Sequence, residues 1–136
     1  MIEFNKYFND EYQFALKNAV YLWIENVAPG TELELNISDT VNASLQGKHL
    51  EVVFQRKTFF IPEALYSIDI SFSFMLTFRN DALAEEAKSV NWSEALVENE
   101  NPYLGNVISR ASYLIATLTS SYGQQPLVTP PNIIRQ

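Results

Sequence analysis

The chain has no cysteine, which removes disulfides, thiolate nucleophiles and cysteine-ligated metals at once and suits a reducing compartment. Histidine is almost as scarce. His49 is the sole imidazole; it stands beside the Gln46-Gly47-Lys48 turn with no G-x-S-x-G or similar element to give it a nucleophile. It reads as a surface turn histidine rather than a general base. The four glycines, at 30, 47, 105 and 123, are too dispersed to cradle a phosphate. Glu85-Glu86 reads as a solvated face, not an acid–base pair, so no catalytic, cofactor-binding or metal-binding residue is expected and the protein is not read as an enzyme.

Long apolar runs are missing too. No window approaches the roughly 18 consecutive apolar residues of a membrane span, and the opening MIEFNKYFNDEYQ carries Glu3, Lys6, Asp10 and Glu11 where a signal peptide would be basic, then apolar. The expectation is a cytoplasmic protein with no membrane insertion, in which the N-x-S triplets at Asn36, Asn42 and Asn91 arise by chance. Positive charge is also short: nine Lys and Arg against sixteen Asp and Glu give a net charge of −7. That argues against a nucleic-acid partner, because counterion release needs clustered basic side chains.

What remains is a globular composition, 47 % hydrophobic and 13 % aromatic in 136 residues. It fits one domain spanning residues 1–136, long enough to bury roughly two thirds of the surface its unfolded form exposes. Charge is unevenly spread. All sixteen acidic residues lie at or before Glu100, and from Asn101 onward the only charges are Arg110 and Arg135. A stretch so poor in charge should be covered, by the rest of the subunit or by another one.

The hydrophobic period changes once, from two to about 3.6. Tyr12, Phe14 and Leu16 alternate with polar neighbours as a first strand, followed by an aromatic connection (Tyr21, Trp23, Ile24) running to Pro29-Gly30. In TELELNIS, Leu33, Leu35 and Ile37 face one way and Glu32, Glu34 and Asn36 the other, which suits a sheet with one packed face. A strand over 50–61 carries Leu50, Val52 and Phe54 on one side before Pro62 breaks it. The apolar set Tyr66, Ile68, Ile70, Phe72, Phe74, Leu76 and Phe78 then makes a long one-sided strand. Beyond Asn80-Asp81 the spacing turns helical. Asn91 with Glu94 looks like a capping pair, and Asn101-Pro102 opens a longer helix with Tyr103, Leu104, Val107, Ile108, Ala111, Leu114, Ile115, Leu118 and Tyr122 on one stripe. The sum is α+β: four antiparallel strands, then helices on their apolar face.

Two features have no place in a plain sheet-and-helix core. Gly105, Ser109, Ser112 and Ala116 form a stripe of small residues on the long helix. Such a stripe admits a close neighbour, here read as an oligomer interface. The aromatic connection, Tyr21, Trp23 and Ile24, reads either as core or as the wall of an apolar groove that contacts unfolded chains or a partner.

The order of elements resembles SecB, the tetrameric chaperone of bacterial protein export, over about Glu11 to Pro131. TELELNIS is similar to that family's acidic–leucine second strand. NPYLGNVISRASYLIATLTSSYGQQPLVTPPNI resembles its long helix, with Arg110 at the mid-helix arginine and a Pro-Leu-x-x-x-Pro extension behind. The resemblance implies a four-stranded sheet with a long helix packed on one face, assembled as a dimer or tetramer that holds unfolded polypeptide in apolar grooves. It places Trp23 at the crossover aromatic and Leu33 and Leu35 beside the groove. The acidic sheet positions by which SecB docks on the SecA motor are not retained, with Ala15 and Ile70 falling near two of them. A shorter Gram-positive branch of SecB-like proteins is a second candidate relative. The expected function is therefore a homo-oligomeric holder of non-native polypeptide. The alternatives are a dedicated adapter with one partner, including a toxin–antitoxin-associated chaperone, and last a small-molecule binder.

Overall fold

The computed structural model describes residues 3–24, 28–121 and 126–134. A short helix α1 (Phe4–Tyr7) leads into strands β1 (Gln13–Trp23), β2 (Glu34–Gln46), β3 (His49–Ile61) and β4 (Tyr66–Thr77). Helices α2 (Asp81–Glu86), α3 (Trp92–Glu98) and α4 (Pro102–Ser120) follow, with one turn of 3-10 helix over Ala87–Ser89. The four strands form one antiparallel sheet in the order β1-β4-β3-β2. The fold is α+β, with the long α4 packed across one face of the sheet.

Alternation in the sequence becomes rungs across the sheet. On the covered face, Phe14, Phe74, Val52 and Ala43 share one rung, and Leu16, Phe72, Phe54 and Val41 the next. The helices begin where the caps require. Asn80, Asn91 and Asn101 each accept a backbone N–H three residues on, from Leu83, Glu94 and Leu104, which satisfies a donor the first turn leaves unpaired. Asn91 Nδ2 also donates to Glu94 Oε2 at 3.3 Å, completing the anticipated pair. Tyr103, Leu104, Val107, Ile108, Ala111 and Ile115 of α4 are buried, with Leu114 and Leu118 packed at the margin. Tyr122 and Gly123 lie outside the described residues, as does Arg135.

One expectation needs correction. The first strand does not stop near Lys17. A bulge between Leu16 and Asn18 shifts its register, so Phe14 and Leu16 before it and Ala19, Tyr21 and Trp23 after it all face the helix side. An extra residue inverts the alternation, and the segment read as a connection is the second half of β1. The chain's opening, to which the sequence assigned no element, joins the core. Phe4, Tyr7 and Phe8 are buried, and Phe8 and Phe78 form a bridge that stitches this segment to the end of β4.

These N-terminal rings close one end of the core. Phe8 lies 4.9 Å from Phe78 and 5.2 Å from Trp92, and Tyr7 meets Trp92 edge-on at 5.3 Å. Tyr12 meets Tyr103 edge-on at 5.1 Å. Such ring pairs add about 0.5–1.5 kcal/mol each beyond their area. Burial pushes the Tyr7 and Tyr103 hydroxyls above the ordinary tyrosine range, with Glu86 adding to the effect at Tyr7. Phe8→Ala should destabilise the protein by about 3–5 kcal/mol, because Phe8 is fully enclosed and the cavity cannot collapse within a ring cluster. Urea unfolding followed by tryptophan fluorescence reads the change, and a loss below about 1 kcal/mol would show that the opening segment is not part of the cooperative core.

Candidate polypeptide-binding surface

At the opposite end of the sheet, among the described residues, no helix contributes a ring to close the core. The last rung on the covered face runs Trp23, Tyr66, Phe60 and Leu35, one residue from each strand. Trp23 is 65 % exposed and Leu35 39 %. Tyr66 is buried between its neighbours, with Tyr21 stacked at 5.5 Å and Phe60 edge-on at 5.3 Å. Burial pushes its hydroxyl up, and Tyr21 adds to the shift. Ile24 is tied down by its N–H, which donates to the Leu65 carbonyl at 2.8 Å. Leu33 stands just before β2, half-buried. Tyr21, Trp23, Ile24, Leu33 and Leu35 therefore all stand at one end of the sheet, although Tyr21 and Trp23 get there on a strand and not on a loop. An aromatic floor with a large exposed ring is a surface for apolar contact.

Two rungs inward from that floor the covered face carries charge. Ala19, Ile70, Arg56 and Asp39 share this rung, and Arg56 and Asp39 are both buried. The pair is bidentate: Nε donates to Asp39 Oδ1 at 2.7 Å and Nη2 to Oδ2 at 2.8 Å. Of the three remaining guanidinium hydrogens, the two on Nη1 are shared among Ser112 Oγ at 3.0 Å, Thr129 Oγ1 at 3.0 Å and the Pro130 carbonyl at 2.7 Å, and the second on Nη2 goes to the Asn132 carbonyl at 3.1 Å. Sequence reading missed this pair, yet its signal was present. Arg56 follows Leu50, Val52 and Phe54 at the same inward phase, and Asp39 follows Leu33, Leu35 and Ile37. The rung between pair and floor holds Thr58, whose hydroxyl is buried without a partner.

The small-residue stripe divides. Gly105 and Ser109 are exposed on the protomer, and a Cβ at Gly105 would meet nothing within 4 Å. Ala116 is half-buried, and Ser112 is engaged within its own chain, donating to the Pro130 carbonyl at 3.1 Å besides accepting from Arg56. The charge-poor segment is thus covered on one side only. Its outer side presents Ser109, Tyr113 (75 % exposed) and Thr117. Arg110 stands over the Phe14 ring at 4.2 Å and holds Asn106 Oδ1 at 2.8 Å, so the mid-helix arginine serves packing against β1. His49 is half-buried at the start of β3, its Nδ1 3.0 Å from Thr77 Oγ1. Ala15 lies exposed beside Ser73, but Ile70 is fully buried under the helix and cannot be a docking position. Among the described residues no group of three or more His, Asp or Glu converges on a common point, and no helix is long and apolar enough to cross a membrane.

This architecture is that of the SecB-like proteins. The chain superimposes on the Mycobacterium tuberculosis Rv1957 SecB-like chaperone, solved in complex with a ChAD peptide from the Rv1956 HigA1 antitoxin, with a TM-score of 0.57 over 88 % of this chain and 89 % of that one. Sequence identity is 10 %, so the likeness is one of fold. No protein-family profile matches the sequence, and no curated protein does.

Arg56→Met should cost about 3–5 kcal/mol, because it strands the Asp39 carboxylate in a dry site. Arg56→Met with Asp39→Leu should recover most of that loss, since replacing both charges with apolar groups is often close to neutral. Thermal and urea unfolding of the three proteins provides the check; a double variant no more stable than the single one would show that the pair is itself a net source of stability.

Proposed function

We propose that this protein is a SecB-like, non-enzymatic binder that holds extended, non-native polypeptide, working as a homo-oligomer in the cytoplasm. The observation that carries the reading is the uncovered end of the sheet. Trp23 and Leu35 stay exposed there beside the buried Tyr66, whereas the rings Phe8, Phe78, Trp92 and Tyr103 at the other end are sealed. A large, rigid ring two-thirds exposed is the type of side chain that anchors a partner. The floor also has company in exposed Leu22 and Ile61 on the reverse face of the same sheet end.

The whole chain serves as one binding unit on this reading, with Tyr21, Trp23, Ile24, Leu33 and Leu35 as the contact set. The outer side of α4 supplies the oligomer interface through Gly105, Ser109 and Ala116. A surface helix normally shows Lys and Glu to water, and this one shows Ser, Tyr and Thr. A second reading, a dedicated chaperone for one antitoxin-like segment, draws support from the structural neighbour, whose partner is an antitoxin peptide.

Stoichiometric protein should suppress light scattering from a slowly refolding client, and Trp23→Ala should weaken that protection several-fold while leaving the melting curve intact. Unchanged scattering with the wild-type chain would remove the general-holder reading; a pull-down yielding one stoichiometric partner would favour the dedicated one. Gel filtration with light scattering should give a dimer or tetramer at micromolar concentration, which Ser109→Glu shifts towards monomer by forcing a lone charge into the contact. A wild-type monomer under those conditions would rule the interface out.

A further inference from the structure

Residues 126–134 return along α4 as a segment without helix or strand and cross the buried Arg56–Asp39 pair. The bonds made there follow a pattern. Arg56 donates to the carbonyls of Pro130 and Asn132, and Asp39 Oδ2 accepts the N–H of Ile134 at 2.8 Å. Pro130 and Asn132 turn their carbonyls, and Ile134 its N–H, to one guanidinium and one carboxylate across a bend at Pro131 and Asn132. Thr129 contributes the only side-chain bond to Arg56 from this segment.

We infer that the Arg56–Asp39 pair is a main-chain recognition site for extended polypeptide, and that residues 126–134 are a strap which an incoming segment displaces. The inference rests on the polypeptide-binding reading and says how such binding can ignore sequence. Carbonyls and N–H groups are common to every chain, whereas side-chain pockets are not. The strap is built for exchange rather than permanence. Val128 is 81 % exposed, Pro126, Pro130 and Pro131 are exposed, and Thr129 is the one buried residue of the segment. Proline has no N–H, so the strap cannot zip into a continuous ladder against its neighbours.

Energetics favour replacement over simple opening. Lifting the strap removes two carbonyls and a hydroxyl from a buried guanidinium, and unmet hydrogen bonds to buried charge are costly. A second segment that follows the same bent path offers the same main-chain acceptors. The site also lies in the right place. From Arg56 to Phe60 of the aromatic floor is four residues of β3, about 13 Å at a strand's rise. The strap starts from the same side, since Leu127 N–H donates to Thr119 Oγ1 at 2.7 Å near the end of α4. A segment seated on Trp23 and Leu35 thus needs only about four or five further residues to reach the pair.

Because the chain has no cysteine of its own, a lock can be introduced. Ser112 Oγ and Thr129 Oγ1 are 3.0 Å apart, so Ser112→Cys with Thr129→Cys places two thiols at bonding range between helix and strap. The probe is fluorescein-labelled, reduced and carboxymethylated lactalbumin, measured by anisotropy. The oxidised variant should bind it about tenfold more weakly than the same variant in dithiothreitol. Equal affinity in both redox forms overturns the site alone; failure of the wild-type chain to bind the probe sinks the polypeptide-binding reading and the site with it. The single variant Thr129→Cys supplies a measurement that needs no client and no lock. Its thiol should be alkylated at least about tenfold faster than that of Val52→Cys, a fully buried core position, if the strap lifts without global unfolding. Equal labelling rates would show that strap and core open only together, and would overturn the exchange.

Discussion

The buried contact between Arg56 and Asp39 sets the geometry on which the other elements depend. Apolar packing holds the sheet and α4 together, but it is non-directional and tolerates small slips. A bidentate guanidinium–carboxylate contact does not. It fixes the register of β2 against β3, since the two residues are direct partners across the ladder. Through Ser112 it fixes where α4 lies along the sheet, and through Pro130 and Asn132 it fixes the path of the chain beyond the helix. Dehydrating two charges opposes their attraction, so the pair is a poor source of net stability. Its value is in orientation: a guanidinium has five donors in a rigid fork, and here each direction of the fork has an acceptor.

From that rung the covered face grows in opposite ways. Toward Tyr103 the space between sheet and helices fills with aromatic rings, because α1, α3 and the start of α4 supply Phe8, Trp92 and Tyr103 to cap it. Toward Trp23 no helix among the described residues adds a ring of this kind, and Trp23 faces outward while Tyr66 beside it is buried. Helix α4 starts over Phe74 and meets Arg56 at Ser112. The acidic residues Glu32, Glu34 and Glu63 flank this end on exposed positions.

Much of this was legible in the residues, and the failures have physical causes. Strand β4 announced itself because an unbroken period of two survives along its length, β3 by its opening Leu50, Val52 and Phe54, and all three longer helices began at asparagine caps that the sequence displays. The second half of β1 was unreadable because the bulge at Lys17 inverts the phase, so Tyr21 and Trp23 fall out of step with Phe14 and Leu16. Helix α1 is a single turn, too short for any periodicity, although Phe4, Tyr7 and Phe8 do stand at helical spacing. The alternation of Leu33, Leu35 and Ile37 was legible because it is regular, and their inward phase holds on β2. Arg56 and Asp39 were passed over because each charge, taken on its own strand, looks like an interruption of an apolar face. Only the pairing of the two strands turns both interruptions into a match.

On the proposed reading, that match lets one surface combine strength with indifference to sequence. An aromatic floor rewards any apolar side chain but gives no direction, so a segment resting on it could lie at many angles. A fork that grips alternate carbonyls gives direction but selects no side chain. Placed two rungs apart on the same sheet, the first supplies most of the attraction and the second aligns the segment along the groove. An adapter evolved for a single partner would gain by shaping pockets around particular side chains, and a fixed backbone-reading pair would add little to its discrimination. The presence of such a pair, satisfied by three main-chain groups of the protein's own terminal segment, is the feature of this fold that most favours a general holder of extended chains.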